Sequence, residues 1–164
     1  FNGLLTPTPG FRYTIVKGFL GHGPEVFRRA VEGLKAWAVY PDWMTLYPNP
    51  APLEPGVCVV FTTGFAPFWT VSAVRVAEVE VSEHLFAFTI RTLPQHALTG
   101  AERFGVFCDE AGNVWYKLTA LSKPQHPLAK LGSPAVRLVQ RRFARDSVAT
   151  LQRFIRTGSD RIHA

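Results

Sequence analysis

The stretch VCVVFTTGFAPFWTVSAVRVAEVEVSEHLFAFTIRTL, Val57 to Leu93, decides the fold. Apolar and polar residues alternate along it, and β-branched and aromatic side chains fill it, so it reads as strands. Three candidates, VCVVFTT, FWTVSAVRVAEVEV and HLFAFTIRTL, are divided by Gly64–Pro67 and by Glu83-His84. ERFGVFC and VWYKLTAL continue the same period on either side of the Asp109–Gly112 turn. Short links between successive strands favour hairpins, and therefore an antiparallel meander.

Upstream, FRYTIVKGF (Phe11–Phe19) supplies a first strand that ends at the turn Gly21-His22-Gly23. Pro24 suits the first position of a helix, Glu25 its first turn, and Val26, Phe27, Ala30, Val31 and Leu34 recur at helical spacing toward Trp37. The segment AVYPDWMTLYP, interrupted by Pro41, reads as a strand or an irregular entry with Trp43 and Tyr47 packed inward. Downstream, Pro124 and Pro127 break the strand pattern. A last element begins near Ser133-Pro134 and runs to Ile155, where Thr157-Gly158 stops it. Val136, Val139, Phe143, Ser147, Leu151, Phe154 and Ile155 form one stripe, with Arg137, Arg141, Arg145, Gln152 and Arg156 on or near the opposite side. A helix of about 22 residues spans about 33 Å, long enough to cross a sheet. The expectation is an α+β chain, residues 1–164 in a single domain, with a curved antiparallel sheet of about six or seven strands wrapped around a long C-terminal helix. A strongly curved sheet cannot touch such a helix along its full width, which leaves room for a cavity between them.

Composition agrees with a packed domain: 47% of the residues are hydrophobic and 18% charged, enough apolar surface for a core in a chain of this length. No apolar run reaches the roughly 18 residues of a membrane span, and no basic-then-apolar leader precedes Phe1, which points to the cytoplasm. Cys58 and Cys108 lack metal or redox spacing and read as buried free thiols. The net charge of +6 is concentrated: residues 1–123 carry ten basic and ten acidic side chains, whereas the last 41 carry eight basic ones against Asp146 and Asp160. Such asymmetry suits either a solvated helix face or a basic surface for nucleic acid or anionic membrane. Nucleic acid is the weaker partner, since no zinc-finger spacing, RNA-recognition signature or clear helix-turn-helix accompanies the arginines. There is no GxSxG elbow, P-loop, dinucleotide fingerprint or HExxH pair, and the five histidines are scattered, so no cofactor or metal site is expected.

The segments GHGPEVFRRAVEGLKAW, PLEPGVCVVF, RTLPQHALTGAERFGV, VWYKLTALSKP and PAVRLVQRRFARDS resemble a family known as domain of unknown function nineteen-ninety. That family is usually placed beside the START-like, helix-grip superfamily that also contains the birch pollen allergen and polyketide cyclases. The resemblance covers nearly the whole chain and implies a helix-grip fold with a cavity. The family's pattern after the fifth strand is similar to His-Pro-Glu, then Gly-Glu-Glu, one residue and Phe. His96, Gly100, Glu102 and Phe104 match it, while Ala97, Leu98 and Ala101 depart from it, so of the acidic pair only Glu102 is kept. Arg137 and Gln140 match an Arg-x-x-Gln spacing, and Ser122-x-Pro124 a strand-end motif.

Candidate residues follow from charge and aromaticity. Glu102, at the end of the loop RTLPQHALTGAERF, is open to an ion pair with Arg103 or Arg91, a hydrogen bond to His96, or a ligand. Arg75 lies among apolar residues of both parities: it points inward to a carboxylate or bound anion, or a bulge turns it to solvent. Trp43, Trp69, Phe88, Phe104 and Tyr116 are candidates for a pocket lining, although strand aromatics are more often ordinary core. The expected function is binding of a small hydrophobic or amphipathic ligand, with His96 and Glu102 at the cavity mouth and Arg75 or Arg137 supplying positive charge. The alternatives are a cyclase- or hydrolase-type enzyme using His96 and Glu102 as acid and base, and the basic surface.

Overall fold

Period-two sequence becomes one antiparallel sheet. The computed structural model describes residues 5–65, 68–94, 98–124 and 133–160. Along the chain lie β1 (Arg12–His22), α1 (Pro24–Lys35), β2 (Met44–Tyr47), β3 (Cys58–Phe65), β4 (Phe68–Ser82), β5 (Leu85–Thr92), β6 (Leu98–Cys108), β7 (Asn113–Pro124) and α2 (Ser133–Asp160). The spatial order is β1-β7-β6-β5-β4-β3-β2, with every neighbouring pair antiparallel. The strands from β2 to β7 form a meander. α1 and the turn after it carry the chain from β1 at one edge to β2 at the other.

Register fixes which side chains look inward. Phe88 stands opposite Phe104, which stands opposite Leu118, which faces Val16; one step along, Ile90, Glu102, Ala120 and Thr14 form the parallel row. Side chains two apart share a face, so the row that buries Phe88, Phe104 and Leu118 also points Glu102 inward. In β4 the pairing slips between Val76 and Glu78, leaving Ala77 as the extra residue of a bulge. Val74 and Val76 face the core before it, and Val79 after it. Arg75, at the other parity, pairs with Arg91 on the convex face and is exposed.

α2 brings its stripe against β1, β7 and α1. Phe143, Ser147, Leu151 and Ile155 are buried, while Arg137, Arg141, Arg145 and Arg156 remain exposed. A Cβ on Gly33 would sit 2.5 Å from Leu151 Cδ1, so the missing side chain is what lets the two helices approach. Arg29, buried at this junction, donates from Nε to Glu25 (2.7 Å) and from Nη1 to the Ile155 carbonyl (3.1 Å).

Several expectations need correction. β6 begins at Leu98, so half of the loop before Glu102 is already strand, paired with β7 through Leu98 and Pro124. β7 therefore runs on to Pro124 instead of ending before it, which a proline at a strand's last position allows. α2 continues past Thr157-Gly158 to Asp160. Tyr47 is 74% exposed and Tyr40 is buried in its place. Cys58 is exposed and Cys108 only half-buried. Among the described residues no helix is long and apolar enough to cross a membrane.

Candidate functional site: a cavity with an acid at its wall

Because α2 rests on the β1 and β7 side, the sheet curls away from it across β3 to β6. There a cavity of about 360 Å³ opens between Phe61, Val74 and Ile90 of the sheet, Tyr40 and Trp43 of the linking segment, and Val139 and Phe143 of α2. That size lies within the range of small-molecule sites. Its wall is mostly apolar, with Thr63, Ser72 and Thr92 supplying hydroxyl-bearing positions.

Glu102 reaches this wall from β6 between Ile90 and Ala120. Its two predicted ion-pair partners stand elsewhere: Arg91 is exposed on the opposite face, and Arg103 points to that face and meets Glu78 and Glu80. No hydrogen bond to the Glu102 carboxyl forms among the described residues. Burial without a compensating partner disfavours its charged form and pushes the carboxyl from its ordinary value up to about 7. At neutral pH it holds comparable amounts of acid, a donor, and carboxylate, an acceptor.

Tyr40 is the second polar group. Its ring centroid lies 5.3 Å from that of Phe61, 5.5 Å from Phe143 and 5.9 Å from Phe104, so aromatic packing holds it in place. Its hydroxyl is buried and has no hydrogen-bond partner among the described residues. Burial, and then the nearby Glu102 charge, hold this hydroxyl well above the usual tyrosine range. It stays a neutral donor. Tyr116 feels burial and the same carboxylate, but its hydroxyl lies 3.3 Å from Ser147 Oγ, and Ser147 Oγ in turn donates to the Ala144 carbonyl.

Trp43 lines the cavity and is fixed to α2. Its indole Nε1 donates to Asp146 Oδ2 (3.0 Å), and the Arg142 guanidinium lies 4.9 Å from its ring centroid. At the base of the loop, Thr92 Oγ1 accepts the Gly100 N–H at 2.9 Å. A Cβ on Gly100 would overlap the Leu121 carbonyl, so glycine is required where β6 meets β7.

Of the residues singled out in the sequence, Trp43 and Glu102 come together at this cavity. Phe88, Phe104 and Tyr116 are fully buried core beneath it, not part of its wall, because Trp37 and Tyr40 cover the Phe88–Phe104 row and α2 covers Tyr116 in the next row. Arg75 is outside on the convex face, where the Ala77 bulge comes too late to turn it inward. Arg137 lines a separate hollow. His96 and the side chain of Trp69 lie outside the described residues. Tyr40 was missed; its only signal was its place among aromatics just before Pro41.

Comparison with known proteins agrees with this architecture. The chain is 32% identical over 145 residues to the UPF0548 protein At2g17695 of Arabidopsis thaliana, covering 84% of this chain and 70% of that protein. Hypothetical protein jhp0584 of Helicobacter pylori superposes with a TM-score of 0.67 over 94% of this chain and 96% of its own, at 16% identity. The Zhui aromatase/cyclase of Streptomyces sp. R1128 does so at 0.63, over 89% and 94%, with 9% identity. At such identities these structures establish the helix-grip fold alone. The family model described as Domain of unknown function (DUF1990) matches residues 3–150, and the chain belongs to that family.

Proposed function

We propose that the protein binds a small hydrophobic or amphipathic molecule in the cavity between sheet and α2, with Glu102 and Tyr40 meeting its polar group. One observation carries this reading: on a mostly apolar cavity wall stands a carboxyl without a partner among the described residues, and its charge reaches a buried tyrosine hydroxyl that likewise lacks one. Each unsatisfied polar group costs roughly 1–3 kcal/mol, and a ligand offering one acceptor and one donor would recover that. The free thiols Cys58 and Cys108 favour a cytoplasmic setting. The basic-surface alternative is weaker, because Arg142 and Arg145 share Asp146 and Arg153 meets Asp42.

A fluorescence titration with N-phenyl-1-naphthylamine, an uncharged apolar probe, tests the cavity. Wild type should bind one equivalent, and Ser72→Phe, which fills the hollow from β4, should weaken binding at least tenfold with its melting temperature preserved. Equal binding by both proteins would place the probe elsewhere and remove the support for a ligand cavity.

A second reading is favoured by the Glu102 carboxyl near 7, the range suited to a general acid or base. In that reading the bound molecule is a substrate and Glu102 moves a proton on it, with His96 as the candidate second group. Turnover lost in Glu102→Gln while probe binding persists would support it.

A further inference from the structure

A second hollow of about 330 Å³ adjoins the cavity, and the two share Leu98, Ser122 and Gln140. Gln140 Nε2 donates to Ser122 Oγ at 3.2 Å across the shared wall. The two spacings noted in the sequence, Ser122-x-Pro124 and Arg137-x-x-Gln140, therefore meet at one place. Resting on the binding function above, we propose that this second hollow receives an anionic group of the same ligand, such as a carboxylate, sulfonate or phosphate, held by Arg12 and Arg137.

Arg12 comes from the start of β1, brought beside β7 by its pairing with Ser122, and Arg137 from the second turn of α2. Both line the hollow, and no acidic residue does so among the described residues. Most arginines elsewhere on the helices meet a carboxylate: Arg28 and Arg29 share Glu25, Arg142 and Arg145 share Asp146, and Arg153 meets Asp42. Arg12 and Arg137 have no carboxylate within ion-pair distance among the described residues. A third cation stands close by, since Lys123 Nζ lies 5.8 Å from the ring centroid of Phe11, another residue of the hollow. Two exposed arginines lining one concave site, without a carboxylate among its described lining residues, favour an anion with several oxygens. The apolar body of the ligand would occupy the first cavity, and its charge would lie past Gln140, away from the Glu102 carboxyl.

The test uses a matched pair of probes, N-phenyl-1-naphthylamine and its sulfonated counterpart 8-anilinonaphthalene-1-sulfonate, on the full chain. Replacing both arginines (Arg12→Gln with Arg137→Gln) should weaken the sulfonate probe about tenfold or more and the uncharged probe less than about twofold. Arg156→Gln, which removes one charge at the far end of α2, should change neither. Added salt should weaken only the sulfonate probe, and decyl phosphate should displace it far better than inorganic phosphate. Retained sulfonate affinity in the double variant, an equal loss for both probes, or a loss in Arg156→Gln overturns the proposal while leaving the cavity intact. Competition by inorganic phosphate as strong as that by decyl phosphate overturns it in favour of a free-anion site. Failure of the uncharged probe to bind wild type removes the binding function, and this inference with it.

Discussion

Glu102 and Arg103 are adjacent on β6, both charged by sequence, and they meet opposite fates on the two faces of one strand. Arg103, only 2% exposed on the convex face, donates to Thr89 Oγ1 at 3.1 Å and pairs with Glu78 and Glu80. The Ala77 bulge is what brings both glutamates to that face. Glu102, on the concave face, has neither an ion pair nor a hydrogen bond among the described residues. A charge that serves the fold meets carboxylates and a hydroxyl supplied by the fold at both its terminal nitrogens, and only its Nε lacks a hydrogen bond among the described residues. A charge left without them lines a cavity, and under the proposed function a ligand there would supply the partner it lacks.

Breaking the satisfied side should have the largest effect. Arg103→Met keeps the packing volume but leaves Glu78 and Glu80 facing one another, so it should cost about 3 kcal/mol. Thermal unfolding should show this as a fall of about 6–12 °C. A melting temperature within a degree of wild type would mean that the two glutamates turn to solvent without penalty, and the contrast between the faces would dissolve.

The unsatisfied side should respond with the opposite sign. The Glu102 carboxyl sits at about 7 in the folded protein against an ordinary value of 4.5, so the folded state holds its proton more tightly. That contribution is fully present below about pH 4.5 and is lost as pH rises through about 7, for a total of about 3 kcal/mol. Glu102→Gln removes it. The variant should therefore exceed wild type in stability at pH 8 by up to about 3 kcal/mol, with the difference between the two proteins shrinking steadily toward pH 4.5. Denaturant unfolding of both across this range reads the difference directly, and a pH-independent gap would show that burial does not shift the carboxyl.

Much of the fold could be read from alternation alone. The strands from Val57 to Leu121 sit where period two puts them, because a half-buried sheet forces that pattern on its sequence. The site was less legible, for identifiable reasons. Glu102 was visible as a lone acid among apolar residues, but its solitude depended on which way Arg103 pointed, and one residue of register decides that. Arg75 could not be placed until the bulge was located at Ala77, since both flanking parities are apolar. Tyr40 and Tyr47 bracket the same irregular segment, and nothing local distinguishes the buried one from the exposed one. The second hollow joins β1, β6, β7 and α2, residues separated by up to 128 positions from Arg12 to Gln140, and only the folded chain brings them together.

Tyr40→Phe should have the smallest effect on stability. It removes a buried hydroxyl that has no hydrogen-bond partner among the described residues, so folding should gain about 1 kcal/mol, the low end of the cost of such a group. The decisive consequence should appear in what the protein carries. Native mass spectrometry of freshly purified wild type, followed by organic extraction, should reveal a stoichiometric apolar or amphipathic compound. Tyr40→Phe and Glu102→Gln should each carry markedly less of it despite being fully folded. Wild type at the bare chain mass, or equal occupancy in all three proteins, would mean that the carboxyl and hydroxyl are not kept free for a ligand.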